Sequence, residues 1–526
     1  MQSFVLRHTG SPQVLDYEFS GGRKVVQWPQ EDGAQLGMAG AWNFLFRLGA
    51  SPSTVDESSL PVPREGDVLY VTADVKFVEK TEKALQDWMA AGGRIVASGC
   101  PEAWRFVFPK NVILESARLV NCYAGLAWLR DGLEPELIAP PNWTYLSMRF
   151  EMMGEWKCIG RLAAVSGERQ TPNRALVEPI QNAPAMLFRR NFFYLNASPF
   201  AALQSWLQGQ EDLQPWLAWR HRIFWLDEYT AFLHRVLQEY HLLPVQAEGI
   251  PGLAQTTIVF RHDLDYSRDT TYLELENQAG LSGVHAILKD RNTEFWVNLL
   301  KTKPRQESAF HFNTGHYSRL LEEVRHKLLN LPKRQVRPNR KAIKGNGLLS
   351  QVRWAKRNGI GIETLHRHIF FMFYPELVDA LDIVYENEPE VVGGSSFFSG
   401  AILRWGINDV DGMRGSVADF TDPQFPFWFP FRLAHAGAGG RMLKGWESTC
   451  MMEAEPRLVE QMIDHHISGL PQKVMVLNYH PAHANNQTFA KNGCVSWFRE
   501  ILDMCKHRGV EVRPLAEVYR IINASL

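Results

Sequence analysis

The run Ile258-Val259-Phe260-Arg261-His262-Asp263-Leu264-Asp265 constrains this chain more than any other stretch. Its apolar, β-branched front reads as a strand that delivers two carboxylates, spaced i and i+2, to its C-terminal end, and residues at that spacing share a face. One such carboxylate can bind a cation while its neighbour takes a proton from water beside that cation. Two later stretches, Glu307-Ser308-Ala309-Phe310-His311 with His316 beyond it, and Val474-Met475-Val476-Leu477-Asn478-Tyr479-His480-Pro481, offer neutral imidazoles and a further acid/base group. These are the residue types of metal-assisted hydrolysis.

With 526 residues the chain exceeds the roughly 250 to 300 at which one core stops growing, so two or more domains are expected. Lys and Arg number 56 against 57 Asp and Glu, a balance that supplies no field for steering toward nucleic acid or an anionic membrane, and nucleic acid is set aside as a partner. The 17 Trp and 30 Phe suit burial or stacking on sugar rings, burial being the commoner use. Six cysteines, at 100, 122, 158, 450, 494 and 505, contain no Cys-x-x-Cys pair, which reads as reduced thiols in a cytosolic protein. No stretch approaches the ~20 apolar residues of a membrane span, and Met1 to His8 lack the basic-then-apolar pattern of a secretion signal, so a cytoplasmic location is expected.

The first part of the chain reads as an open α/β sheet. Asp67 to Thr72 is a strand, Glu79 to Ala91 a helix with apolar Ala84, Leu85, Trp88 and Met89, Gly92-Gly93 a stop, and Arg94 to Gly99 a second strand, together a βαβ unit. This segment resembles the class I glutamine-amidotransferase-like (flavodoxin-like) domains, in which such a strand precedes a catalytic elbow. Cys100 follows the strand, but Pro101 next to it removes a backbone donor, and the segment is read as an accessory domain with an ordinary loop cysteine. Trp206, Trp216, Trp219 and Trp225, interleaved with Arg220, His221 and Arg222, read as packing groups around a helix from Ile223 to Leu237 rather than as a saccharide platform. Leu242 to Gly252 reads as a linker. The basic stretch Leu331 to Gly347, with Lys333, Arg334, Arg337, Arg340, Lys341 and Lys344, reads as a solvated loop. The expected division is 1–215 for the α/β domain, 216–250 for a helical connector and 251–526 for the domain that carries the chemistry.

From about Gln255 onward the chain resembles the polysaccharide deacetylases (NodB-homology, carbohydrate esterase family 4), metal-dependent enzymes on an irregular (β/α) barrel. The resemblance lies in motif order: Arg261-His262-Asp263-Leu264-Asp265 matches the Arg-His-Asp-x-Asp form of the acidic pair, Glu307 to His311 the Glu-x-x-x-His turn, and Leu477 to His480 the terminal strand end, here with one extra residue. It implies Asp263 as general base, Asp265, His311 and His316 as metal ligands, and His480 as general acid. His316 lies five residues after His311 where the family has four, so either the turn carries an extra residue or another group binds. For the arginine that orients the base, Arg367 in Glu363 to His368 and Arg404 in Gly394 to Gly406 are both candidates. Strand alternation puts His366 and His368 on one face and Arg367 on the other, so only one set faces the site.

The resemblance further implies a divalent ion, Zn²⁺ first with Co²⁺, Ni²⁺ or Mn²⁺ also compatible, and an N-acylated sugar, oligosaccharide or polysaccharide as substrate, from which an acyl group, acetyl first, is removed. Two other readings stand beside it: a nucleotide-sugar glycosyltransferase using Asp263-Leu264-Asp265, and a carbohydrate-binding protein without catalysis.

Overall fold

The computed structural model describes residues 2–7, 31–73, 76–108, 114–117, 124–129, 137–139, 145–148, 155–168, 171–208, 225–243, 249–313, 343–368, 375–397, 427–435, 441–485 and 492–526. The chain divides into two compact units, one of Met1–Gly249 with Arg432–Met442 and Ile467–Pro471, the other of Ile250–Phe431, Leu443–His466 and Gln472–Leu526. Among the described residues no helix is long and apolar enough to cross a membrane.

The first unit is built on β1 (Ser3–Arg7), β2 (Ser53–Asp56), β3 (Val68–Ala73), β4 (Arg94–Gly99), β5 (Leu114–Ala117), β6 (Ala124–Leu129), β7 (Leu137–Ala139), β8 (Tyr145–Met148), β9 (Lys157–Glu168), β10 (Thr171–Arg189) and β11 (Phe192–Leu195). Nine of these form one open sheet in the order β2-β1-β3-β4-β11-β10-β9-β6-β7, and β5 pairs with β8 apart from it. Its β1, β2, β3, β4 and β11 pair in parallel, whereas β11, β10, β9, β6 and β7 meander antiparallel. β3, helix Glu79–Ala90 and β4 form the βαβ unit. Its core is aromatic, and three of the large rings hold their polar tips on backbone carbonyls: the Trp88 indole donates to Arg94 O at 3.1 Å, Trp104 to Ser98 O at 3.0 Å, and the Tyr194 hydroxyl to Gly99 O at 2.7 Å. Helix Trp225–Glu239 belongs to this unit, and Asp227 on it forms a buried ion pair with Arg47 at 3.2 Å. The Cys100 thiol donates to Glu102 Oε2 at 2.8 Å. Trp216, Trp219, Arg220, His221 and Arg222 lie outside the described residues, as do the side chains of Trp206 and Trp225.

The second unit is a closed barrel. Its strands are β12 (Thr256–Asp263), β13 (Val284–Leu288), β14 (Glu307–Asn313), β15 (Thr364–His368), β16 (Gly393–Phe397) and, after the short β17 (Phe431–Ala434), β18 (Met442–Met452) and β19 (Lys473–Asn478); β20 (Glu511–Val512) lies against the start of β12. Pairing runs β12-β13-β14-β15-β16-β18-β19 and returns to β12, seven strands all parallel. Helices Thr271–Ala279, Thr293–Lys301, Gly347–Arg357, Pro375–Asn387 and Pro456–Asp464 lie between successive strands, and Cys494–Arg508 follows β19.

Burial on both faces explains why these strands are near-continuous apolar runs, as in Ile258-Val259-Phe260 and Val474-Met475-Val476-Leu477, all buried. Polar residues appear where the strands end. Close strand approach at β16 requires its glycines: a Cβ on Gly394 would lie 2.1 Å from Leu365 O. Of the basic loop from Leu331, only 343–347 are described, and of the linker from Leu242, residues 244–248 are not.

Candidate metal centre

Asp263 is the last residue of β12, and register sets its surroundings. Arg261 pairs with Asn478 of β19 on one side and Val284 of β13 on the other. Arg261 lies two residues before Asp263 and so shares its face, and both arms of its guanidinium reach the carboxylate, Nε to Oδ1 at 2.8 Å and Nη2 to Oδ2 at 3.0 Å. The Asn478 amide donates to Oδ2 at 3.1 Å. The remaining Arg261 nitrogen, Nη1, donates to Ser395 O at 3.2 Å, Ser395 Oγ at 3.0 Å and Cys450 Sγ at 3.2 Å. Burial works against the charge on Arg261, but Asp263 outweighs it, so this arginine holds its proton more firmly than usual.

Asp265, His311 of β14 and His368 of β15 form a cluster that could hold a metal ion. Asp265 Oδ1 is 3.3 Å from His311 Nε2, Asp265 Oδ2 is 3.2 Å from His368 Nδ1, and the two imidazole nitrogens are 2.9 Å apart. The three offer one donor atom each within 4.8 Å of one another. One orphaned atom fits a cation here: Asp265 Oδ1 is buried without a hydrogen-bond partner among the described residues, whereas the likewise orphaned His311 Nδ1 lies on the ring edge toward Asp263. Burial holds His311 well below the ordinary histidine range, hence neutral and ready to coordinate. Burial would raise Asp265, but the facing His311 and His368 outweigh it and keep it below the ordinary carboxylate range.

The opposite side of Asp263 faces His480, whose Nε2 is 3.6 Å from Oδ2; His311 Nδ1 is 3.7 Å from Oδ1. His480 follows β19 by two residues, and its Nδ1 is 3.0 Å from Glu453 Oε1. The same oxygen accepts the His480 backbone N–H at 2.9 Å and faces His483 Nδ1 at 3.0 Å. Burial would raise Glu453, yet the two histidines outweigh it and bring it down to about 2. Burial also acts to lower His480, but its bond to Glu453 and the charge on Asp263 prevail, and its affinity for a proton is raised.

Behind the site, Glu276 is fully buried between two histidines, Oε1 at 2.9 Å from His262 Nε2 and Oε2 at 3.0 Å from His285 Nε2. His262 Nδ1 lies 2.9 Å from Tyr479 O, so the residue before Asp263 is tied to the residue before His480.

Asp263, Asp265, His311 and His480 thus meet in one place, while His316 and Arg404 lie outside the described residues. The arginine on Asp263 is Arg261, inside the acidic motif, and not Arg367 of β15. β15 resolves its two-face alternative toward the histidines: His368 joins Asp265, and His366 Nδ1 meets Ser395 Oγ at 2.9 Å beside Arg261. Sequence reasoning did not find Arg261 as the orienting group, nor Asn478 or Glu453. For Arg261 the signal was present, since the spacing that pairs Asp263 with Asp265 equally pairs Arg261 with Asp263.

No family model and no curated protein matches the chain. Solved structures with some likeness include alpha-L-fucosidase isoenzyme 2 of Paenibacillus thiaminolyticus, 18% identical over 46% of this chain, with a TM-score of 0.28; the chain spans 33% of that protein's length. A candidate polysaccharide deacetylase involved in O-antigen biosynthesis from Bordetella bronchiseptica is 12% identical, with 52% of this chain and 90% of that one covered and a TM-score of 0.24. The Xyl-CE4 domain of a multidomain xylanase from the hindgut metagenome of Trinervitermes trinervoides is 10% identical, with 51% and 91% covered and a TM-score of 0.25. Likeness this slight does not bear on function.

Proposed function

We propose that the barrel unit is a metal-dependent hydrolase that removes an N-acyl group, acetyl first, from a carbohydrate. The observation that carries this reading is the setting of Asp263: a carboxylate gripped by Arg261 and Asn478, with the Asp265–His311–His368 set beside one oxygen and His480 beside the other. A borderline divalent ion such as Zn²⁺, held by Asp265, His311 and His368, would supply Lewis acidity and make water nucleophilic at neutral pH.

This chain's own residues do the rest. Arg261 and Asn478 fix the plane of the Asp263 carboxylate, which takes the proton of the attacking water. Glu453 binds the Nδ1 side of His480 and so turns Nε2 toward the reaction, where it protonates the departing amine. An Asp-x-Asp glycosyltransferase gives His311, His368 and His480 no task. The carbohydrate substrate rests on the resemblance in motif order, and Tyr266, half-exposed directly after Asp265, offers a ring for a sugar face. The sheet unit is read as accessory.

The test is metal analysis of wild type beside Asp265→Ala, His311→Ala and His368→Ala, with free acetate measured from N-acetylated sugars and oligosaccharides. As purified, with no metal added, wild type is expected to hold one equivalent of metal and each variant to lose it, whereas His480→Asn keeps the metal and loses about 10²- to 10⁴-fold in rate. Undiminished metal in all three variants would overturn the ligand set. Metal bound by wild type with no acyl release from any sugar would make this a binding protein.

A further inference from the structure

We propose that Glu453, His480 and His483 form a second divalent-cation site, separate from Asp265, His311 and His368, which takes a borderline ion such as Zn²⁺ and disables His480 when filled. The donor atoms already stand in place. Glu453 Oε1 is 3.0 Å from Nδ1 of His480 and 3.0 Å from Nδ1 of His483. Zinc bonds of about 2.0 to 2.2 Å in a tetrahedron put neighbouring donors roughly 3.3 Å apart, within a few tenths of an ångström of both Glu453 distances, and the three residues offer donor atoms that all lie within 4.8 Å of one another.

The scaffold holds these atoms from two directions. Glu453 follows β18 in a left-handed conformation, φ 49°, that side chains other than glycine seldom adopt, and its backbone N–H donates to Asn478 O at 2.8 Å. His480 and His483 flank a single turn, Pro481–His483, closed by the His483 N–H donating to His480 O at 2.8 Å. That turn sets the rings 4.9 Å apart, centroid to centroid, over one carboxylate. The Glu453 side chain is 1% exposed, and the His483 side chain, at 27%, gives an ion its way in. Two imidazoles and a carboxylate suit Zn²⁺ and disfavour Mg²⁺ or Ca²⁺.

The consequence for catalysis rests on the proposed hydrolase; the binding does not. An ion on Nδ1 of His480 takes the lone pair there, and the proton that made the ring an imidazolium leaves to solvent. The N–H that remains on Nε2 is a far weaker acid, so the departing amine goes unprotonated. Zinc in excess of one equivalent therefore slows the enzyme that the first equivalent activates.

Calorimetric titration and elemental analysis of the full chain with Zn²⁺ test this. Wild type is expected to take two equivalents, Asp265→Ala one, His483→Ala one, and the double variant none, while His507→Ala, an exposed histidine, still takes two. His483→Gln serves as a second variant, with melting curves to verify that each protein folds. Two equivalents in folded His483→Ala and His483→Gln, or none in folded Asp265→Ala, would overturn the second site. Where hydrolysis is measured, excess zinc should lower the rate of wild type below its own value at one equivalent and leave His483→Ala at its own one-equivalent rate. Inhibition equal in both would refute the link to His480. If no substrate is hydrolysed, the proposed reaction fails while the stoichiometry still decides the site.

Discussion

At Glu453 a single carboxylate oxygen meets a backbone N–H and two imidazole nitrogens, and the charge it carries sets the behaviour of His480. Burial alone would make His480 shed its proton early; Glu453 and Asp263 reverse this, so the folded protein favours the imidazolium. Stabilisation from such a raised group is complete below the ordinary histidine range, near 6.5, and is lost as pH climbs through the folded value. A proton donor with this setting stays loaded to higher pH than an ordinary histidine, and activity declines as pH rises through its folded value. Glu453→Gln should move that alkaline limb to lower pH and leave the acid limb where it was, as read from the pH dependence of kcat. An unmoved alkaline limb would exclude His480 as the donor governed by Glu453. Sequence spacing can mark Asp263 and His480 because each ends an apolar run, but Glu453, in Met452-Glu453-Ala454, has no local pattern that separates it from a surface acid.

At the scale of elements, the apolar runs at β12 and β19 and the strand–helix–strand at β3 and β4 were legible because buried strands write a continuous hydrophobic text, whereas Glu307 to His311, expected as a turn, lies in strand β14, whose polar Glu307, Ser308 and His311 interrupt any such run. Which strand lies beside which was not, since pairing β12 with both β13 and β19 is a non-local choice that places Arg261 beside Asn478. The same non-local packing buries Glu276, on helix Thr271–Ala279, between His262 of β12 and His285 of β13. Burial would raise Glu276, but the histidines bring it down to about 2. Gly283, just before β13, makes room for it, because a Cβ there would stand 2.0 Å from Glu276 Oε1. Gly283→Ala should therefore cost about 2 to 4 kcal/mol, from overpacking plus disturbance of a buried charge. A urea unfolding curve measures this, and a loss under about 0.5 kcal/mol would show that the pocket yields.

For the molecule as a whole, the two units are not consecutive segments, because Arg432–Met442 and Ile467–Pro471 belong with the first while the sequence around them belongs to the second. No composition shift marks those short returns, so a linear reading divides the chain only into consecutive segments. Stability should carry a pH signature from Glu307, which starts β14 and accepts the Thr364 hydroxyl and the Ala516 backbone N–H. Burial pushes its carboxyl up to about 7. The folded state thus binds a proton that the unfolded chain has released, and stability falls as pH rises from the ordinary carboxylate range through 7. Thermal melting from pH 5 to pH 8 should show this decline in wild type and a flatter profile in Glu307→Gln; equal slopes would exclude Glu307 as its source.

The return of β19 to β12 has an engineering corollary. A ring of staves has no loose end at which one member can slide, so an inserted or deleted residue within any of the seven throws every reagent out of alignment together. Length changes are tolerable only in the joints between staves, and a library that diversifies those joints leaves Asp263 and its neighbours aimed as before.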